Sequence, residues 1–439
     1  MKTLLSLITL LAFAVSGRAE TETLTIKAVP ERDYVLRADG REIVVSVDLD
    51  GAALKNRKSG APLNIAVVLD KSGSMEGAKL EQAKQAACVL LDRLTSQDYF
   101  SLVIFDSSVS VLVPAQRVEN KELIRDKIMS IRAGSSTALY AGVKEGAKQI
   151  REYVSSNRIN RVILLSDGMA NVGPDSPQAL AKLGRQLAKE KIRVTTIGLG
   201  DDYNEDLMMA LAEAGEANYY YVRDTEKLPG IFAKELGYLQ NVIARDIRII
   251  IQLPANVEAV EIIGRPEVRF EKNCATLSLG EFYAEQRKNF LVRCKIVKAS
   301  KNDQMDVANV QVNYRDEQSA SEKQSSSLAS VKFTKDQAKA DGSLNTEVSK
   351  QVAWFNNVQA RQQAFDLAEQ GKAKEAAQVL RQQAVANAAL PAAVQSEKLM
   401  KDNASLNATA NTLEEKQSLD SSSRKAFQFD NYNLKEQKQ

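Results

Sequence analysis

The sequence predicts an α/β protein: a doubly wound, mostly parallel sheet inserted in or flanked by a β-sandwich, followed by a C-terminal helical hairpin and a disordered tail. Three observations predict it. Over residues 61–237, unbroken apolar strands alternate with amphipathic helices, the pattern of a parallel sheet covered on both faces. On either side of that block lie strand-like runs without helical periodicity. The chain has 439 residues, 44% of them hydrophobic, which is enough for more than one buried core.

Residues 1–19 read as a secretory signal, with Lys2 as the positive start, an apolar run over 4–15, and the small residues Gly17 and Ala19 before a cut. The mature chain then starts near Glu20, and no later run approaches the roughly 18–20 apolar residues that span a bilayer. Residues 20–60 hold strand-like runs at 24–29 and 43–49, broken by Pro30, Asp39 and Gly40. In the central block, strands are expected at 65–69, 100–105, 109–113, 162–165, 194–199 and 219–222. Only Asp106, Ser107 and Ser108 separate the second from the third, too few for a crossover helix, so that pair must be an antiparallel hairpin at one sheet edge.

Three helices stand out between these strands. One carries Leu80, Ala83, Ala87, Leu90, Leu91 and Leu94, and the next Leu139, Val143, Ala147, Ile150 and Val154, each spaced as a single buried stripe. The third opens with Ser176 as cap and Pro177 in its first turn, then buries Leu180, Leu183 and Leu187. Residues 238–335 return to strands, at 247–253, 257–263, 275–279, 290–297, 308–314 and 330–333. They need a core of their own. The strands before residue 55 need one too, so both flanks are expected to share one sandwich, although two independent β-elements would leave the same trace. Over 343–390, Val348, Val352, Trp354 and Phe355 begin one helix and Ala373, Ala377, Leu380 and Ala384 mark another, with Gly371 between them. Residues 391–439 are polar and poor in large apolar side chains, and are expected to be largely disordered.

Composition excludes several functions. The formal charge of +3 falls to +1 once Lys2 and Arg18 leave with the signal, too little to attract nucleic acid or anionic lipid. The chain has no histidine, which removes histidine triads, histidine zinc sites and most acid–base schemes, and argues against an enzyme. Cys274 and Cys294 lie equally far from residue 284 within what reads as a hairpin; export permits a disulfide between them, and two unpaired apolar thiols fit equally well. Cys88 falls on the apolar side of its helix and reads as core.

Chemistry concentrates at the carboxyl ends of the central strands. The strand at 65–69 runs into Asp70, Lys71, Ser72, Gly73, Ser74 and Met75, so a carboxylate and two hydroxyls stand at alternate positions before a helix and can turn toward one point. Alone, that run also reads as an ordinary helix cap. Thr137, after Gly134, Ser135 and Ser136, could cap its own helix, and Asp167 with Gly168 could simply make a turn. Asp98, Asp106, Asp201 and Asp202 read as solvated loop charges rather than as the rim of a site, and Tyr219, Tyr220 and Tyr221 as alternate burial in an edge strand.

Taken together, these loops in this alternation resemble the von Willebrand factor type A family and its metal-ion-dependent adhesion site. The resemblance covers about residues 62–236, including the run from Asn64 to Met75 and Gly198-Leu199-Gly200 with Asn204 and Glu205. It implies that Asp70, Ser72 and Ser74 hold a cation and that Thr137 and Asp167 complete the site directly or through water. A small, hard dication prefers six oxygens and keeps some of its waters, so Mg²⁺ suits the set, with Mn²⁺ or Ca²⁺ as substitutes. Ligands of open parallel sheets bind beyond the carboxyl ends of the strands, where Asp70 and Asp167 sit. A looser likeness, over about 21–340, is to exported bacterial proteins that carry such a domain between β-segments and to the inter-α-trypsin inhibitor heavy chains.

The implied function is that of an exported binding module, in the periplasm or at the cell surface, whose Mg²⁺ bridges to an acidic side chain of a protein partner. The alternative is a structural or regulatory subunit that binds through its β-sandwich or C-terminal helices, the metal serving only its fold. A hydrolase that activates water on the metal is a third reading, weakened by the absence of any histidine to act as base.

Overall fold

Buried and exposed side chains alternate along β1 (Leu24–Pro30), as they must in a strand with one face on a core. Next come β2 (Tyr34–Leu36) and β3 (Arg41–Gly51). The computed structural model describes residues 22–54, 61–265, 267–416 and 420–437; the signal expected at 1–19 lies outside them.

The central block contains β4 (Leu63–Asp70), α1 (Ala78–Arg93), β5 (Tyr99–Phe105), β6 (Val109–Arg117), α2 (Lys121–Met129), α3 (Leu139–Arg151) and β7 (Ile159–Ser166). It continues with α4 (Pro177–Lys189), β8 (Arg193–Leu199), α5 (Glu205–Ala214), β9 (Tyr219–Val222) and α6 (Leu228–Gln240). Its sheet runs β6-β5-β4-β7-β8-β9, parallel except for β6, which pairs antiparallel with β5 as the short Asp106–Ser108 connection requires. Every residue of β4, β7 and β8 is buried because helices cover both faces: α1, α2 and α6 on one, α3, α4 and α5 on the other. Ser176 caps α4 by accepting from the amide of Ala179, with Pro177 at the first turn.

The last β-segment supplies β10 (Val242–Gln252), β11 (Val257–Ile262), β12 (Cys274–Tyr283), β13 (Arg287–Ile296), β14 (Gln304–Asp316) and β15 (Ser321–Thr334). Both flanks do form one sandwich, with sheets β1-β3-β13-β11 and β12-β10-β14-β15-β2 over a shared core. β3 pairs with β13 from Asp50↔Arg287 to Arg41↔Ile296, so the central domain is an insertion in the sandwich. The hairpin expected around residue 284 is not one. β12 pairs with β10 and β13 with β3 and β11, because the chain crosses from one sheet to the other at residues 284–286. Cys274 and Cys294 therefore lie in different sheets and both thiols are free, so of the two readings the disulfide is corrected and the unpaired thiols stand. Burial pushes the Cys294 thiol up to about 12.

Three arginines fasten the amino end of the central sheet to the sandwich. Arg161 on β7 is fully buried, pairing with Glu281 of β12 and lying 3.6 Å from Glu235 of α6. Arg193 on β8 donates to the Gly280 carbonyl at 2.9 Å, and Arg245 on β10 to the carbonyls of Ser156 and Arg158 and to Glu317.

Beyond the sandwich lie α7 (Gln337–Gly342), α8 (Thr346–Glu369), α9 (Ala373–Ala388), α10 (Glu397–Lys416) and α11 (Ser421–Lys435). The expected hairpin is α8 and α9. The expected disordered tail, 391–439, instead contributes α10 and α11. Small side chains make this possible: Leu406, Ala410 and Leu413 of α10 close on Ala364 of α8 and Ala376, Ala377 and Leu380 of α9, where a low apolar volume still packs densely. α11 returns to the central domain. The Tyr432 hydroxyl accepts from the Tyr219 amide at 3.1 Å and donates to the Ala217 carbonyl at 3.2 Å, and Phe429 and Tyr432 meet the Tyr219 ring edge-on. That cover buries Tyr219 on one face while Tyr220, bonded to Glu235 of α6, is buried on the other, where alternation was expected. No helix among the described residues is long and apolar enough to cross a membrane.

Candidate metal centre

β4 delivers Asp70 to the carboxyl end of the sheet, where its side chain is wholly buried. One carboxylate oxygen accepts from the Ser72 amide at 2.8 Å and the other from the Ser166 hydroxyl at 2.5 Å. Burial nevertheless dominates and raises its pKa to about 6, against the hydrogen bonds from Ser166 and Ser72 that hold it down. The site thus contains a carboxylate that its protein donors do not fully compensate.

The loop after Asp70 enters a short 3₁₀ turn, Gly73–Met75, and α1 begins only beyond Gly77. Neither start has a side-chain cap, so the capping alternative for Asp70, Ser72 and Ser74 is not realised. Instead the Ser72 and Ser74 hydroxyls lie 3.1 Å apart, and Ser74 donates to Asp167 Oδ1 at 2.7 Å. Thr137 does not cap α3 either. Its amide donates to Asn171 Oδ1 at 2.9 Å, leaving the hydroxyl to face inward. Gly168 shows where these groups meet: a Cβ added there would lie 2.9 Å from Thr137 Oγ1, 3.5 Å from Ser74 Oγ and 3.6 Å from Ser72 Oγ.

All five expected residues, Asp70, Ser72, Ser74, Thr137 and Asp167, are therefore brought to one place from three loops. The donors are all oxygens, two on buried carboxylates and three on hydroxyls, a set that fits a small hard cation better than a soft one. Asp70, Ser72, Thr137 and Asp167 are buried, while Ser74 and the neighbouring Ser135 and Met169 are exposed, so the cradle reaches the surface beside Ser74.

Two lysines at this site escaped sequence reasoning. Lys79 of α1 places its ammonium 2.5 Å from Asp167 Oδ2. Lys71 pairs with Asp106, which also accepts from the Ser108 amide and hydroxyl, and the Lys71 partnership lowers the Asp106 pKa to about 2. Asp106 is thus a buried brace between the Asp70 loop and the β5–β6 hairpin, not a solvated charge. Asp98 is likewise buried, accepting from the amides of Leu63 and Thr95. Asp201 accepts from the Tyr221 hydroxyl at 2.5 Å, and Asp202 is exposed as expected.

Comparison with known proteins identifies the domain that carries these loops. Residues 64–234 match the von Willebrand factor type A domain. Among curated relatives, "Uncharacterized protein sll0103" of Synechocystis sp. is 32% identical over 192 residues, covering 44% of this chain and 45% of that protein. Human inter-alpha-trypsin inhibitor heavy chain H3 is 32% identical over 171 residues, covering 36% of this chain and 19% of that one. The chain thus spans less than half the length of either relative. Among solved structures, von Willebrand factor type A from Catenulispora acidiphila aligns with 90% of this chain and 98% of its own at a TM-score of 0.67 and 15% identity. The ArnB paralog VWA2 from Sulfolobus acidocaldarius aligns with 89% and 98% at 0.58 and 18%. These two alignments extend well beyond the central domain, so the arrangement of sandwich, insertion and helices is a fold that recurs.

Proposed function

We propose that this protein, which carries a von Willebrand factor type A domain at residues 64–234, is an exported, non-enzymatic binding module that captures an acidic side chain of a protein partner through Mg²⁺. The observation that carries the reading is the meeting of the Ser72, Ser74 and Thr137 hydroxyls around the Gly168 backbone, against two buried carboxylates. Asp70, Ser72, Ser74 and Thr137 would hold the cation, and Asp167 would complete its surroundings. When bound, Mg²⁺ supplies a Lewis-acidic position and a place for an incoming carboxylate. The protein's own part is preorganisation: Ser166 and the Ser72 amide fix Asp70, Ser74 and Lys79 fix Asp167, and Asn171 fixes the Thr137 loop.

Three features support binding over catalysis. The chain has no histidine, the exposed residues beside the cradle are serines and a methionine, and both nearby carboxylates are engaged within the site. Export rests on the signal read at residues 1–19. The test is titration of Mg²⁺ into the protein by calorimetry, combined with recovery of partners from cell-envelope extract with and without chelator. Wild type should take up Mg²⁺ and recover its partner only without chelator, whereas Asp70→Ala should take up no Mg²⁺ and recover no partner even without chelator. Equal recovery from all three conditions would remove the proposal.

A further inference from the structure

Asp167 is the carboxylate that should help balance a dication, yet an ammonium already sits on it. Lys79 Nζ lies 2.5 Å from Asp167 Oδ2, and Asp167 Oδ1 accepts from Ser74 at 2.7 Å, so both oxygens are engaged. The lysine is well placed to stay. About a quarter of its side chain is exposed, and its Cε and Nζ would lie 3.6 Å from a Cβ added at Gly200, whose φ of +74° leaves the β8 end bare where the ammonium passes. Helix energetics do not account for the position. Lys79 stands in the first turn of α1, where the macrodipole disfavours a cation. Its pairing with a carboxylate 88 residues away offsets that cost.

We propose that Lys79 is a resident counter-cation: it weakens the affinity of the empty centre for a divalent metal and strengthens the affinity of the loaded centre for a carboxylate. The inference rests on the metal-dependent reading above. Its logic is charge. Asp70, Asp167 and Lys79 together carry one net negative charge, so a dication leaves the loaded centre positive. With Lys79 neutralised, the two carboxylates would attract the dication more strongly and then cancel it, leaving nothing net to draw an anion. Lys79 also keeps Asp167 oriented toward Ser74, so that it acts on the cation through its neighbours. Lys79 is in these terms a positioning and tuning residue.

The test compares wild type, Lys79→Met and Lys79→Arg as full chains, using Mn²⁺ alone as the metal probe and acetate as the carboxylate probe. Free Mn²⁺ is counted by electron paramagnetic resonance, and acetate binding at saturating Mn²⁺ is read from the fall in water proton relaxation. Lys79→Met should bind Mn²⁺ at least about tenfold more tightly and acetate at least about threefold more weakly, since one unit charge within a few ångströms is worth that much even in a well-screened site. Lys79→Arg, which keeps the charge, should resemble wild type in both. A lysine that merely braced the fold would move the two affinities in the same direction. Equal Mn²⁺ affinity in wild type and Lys79→Met, or tighter Mn²⁺ with unchanged acetate, overturns the inference and leaves the metal-dependent reading standing. Binding of Mn²⁺ by Lys79→Met but not by wild type supports the counter-cation and removes the metal-loaded function. Failure of both proteins, with native circular dichroism, removes both.

Discussion

The two ends of the central sheet solve opposite problems with the same kinds of residue. At the amino end, Arg161 and Arg193 reach Glu281, Asp246 and the Gly280 carbonyl across the boundary with the sandwich, and Arg245 reaches back to the Ser156 and Arg158 carbonyls. Glu235 and Glu317 add partners on either side, so each buried arginine meets a carboxylate within the chain. At the carboxyl end, Asp70 is as deeply buried but is met only by hydroxyls and an amide, and its pKa stays raised, at about 6. Matched charge ties the two domains together; at the other end Asp70, alone among these buried charges, has no cationic partner among the described residues, which is the condition the proposed metal site requires. Burial alone does not distinguish structure from function here, but the identity of the partner does.

The comparison can be broken most forcefully at the amino end. Arg161→Met leaves Glu235 and Glu281 buried without their cation and should cost about 3–5 kcal/mol in urea unfolding. A loss below about 1 kcal/mol would mean that this end is no better matched than the other. At the carboxyl end, Mg²⁺ at a hundredfold excess over its Kd should stabilise wild type by about 2–3 kcal/mol. Asp70→Ala should abolish that gain while melting in chelator no lower than wild type, because it removes an under-compensated buried carboxylate. A large loss in chelator would show Asp70 to be structural after all.

Two smaller effects sharpen the picture. Tyr432→Phe leaves the Tyr219 amide without its hydroxyl partner at the sheet edge and should cost about 1–2 kcal/mol, read as faster hydrogen exchange in β9. Unchanged exchange there would remove α11 as an edge cover. Lys71→Met should cost about 1 kcal/mol at neutral pH, because Asp106, though buried, keeps the Ser108 amide and hydroxyl as donors and the Lys71 side chain is 18% exposed. Since Asp106 is held near 2, below its ordinary 3.8, the pairing stabilises fully above about pH 4 and is lost as pH falls through about 2. The difference in melting temperature between wild type and Lys71→Met should therefore shrink over that window, and a constant difference would rule out the ion pair as its source.

Much of this was legible in the sequence because the relevant physics is local. Strands β4, β7 and β8 are buried on both faces and read as unbroken apolar runs, and Asp70, Ser72 and Ser74 are neighbours in sequence. What escaped depends on distant partners. Lys79 looks like a solvated lysine until Asp167 is placed beside it. β12 and β13 look like a hairpin because nothing local says that the chain changes sheet between them. The tail looked disordered because alanine interfaces carry little hydrophobic signal per residue, and because Tyr432 finds its site on a strand more than two hundred residues earlier.

The insertion of the central domain has a consequence for the order of assembly. Arg287 must reach Asp50, so β1 and β3 leave the ribosome long before the strands that will flank them exist. The domain between them is contiguous in sequence, so its contacts form over shorter separations than the β3–β13 pairing, and its folding would shorten the gap that the sandwich must close. Strands β1 and β3 are thus synthesised with an open edge, vulnerable to mispairing until β13 arrives. Chains arrested before residue 287 should be protease-resistant over 61–237 and cleaved over 22–54; protection of the early strands at that stage would show that they find another shelter.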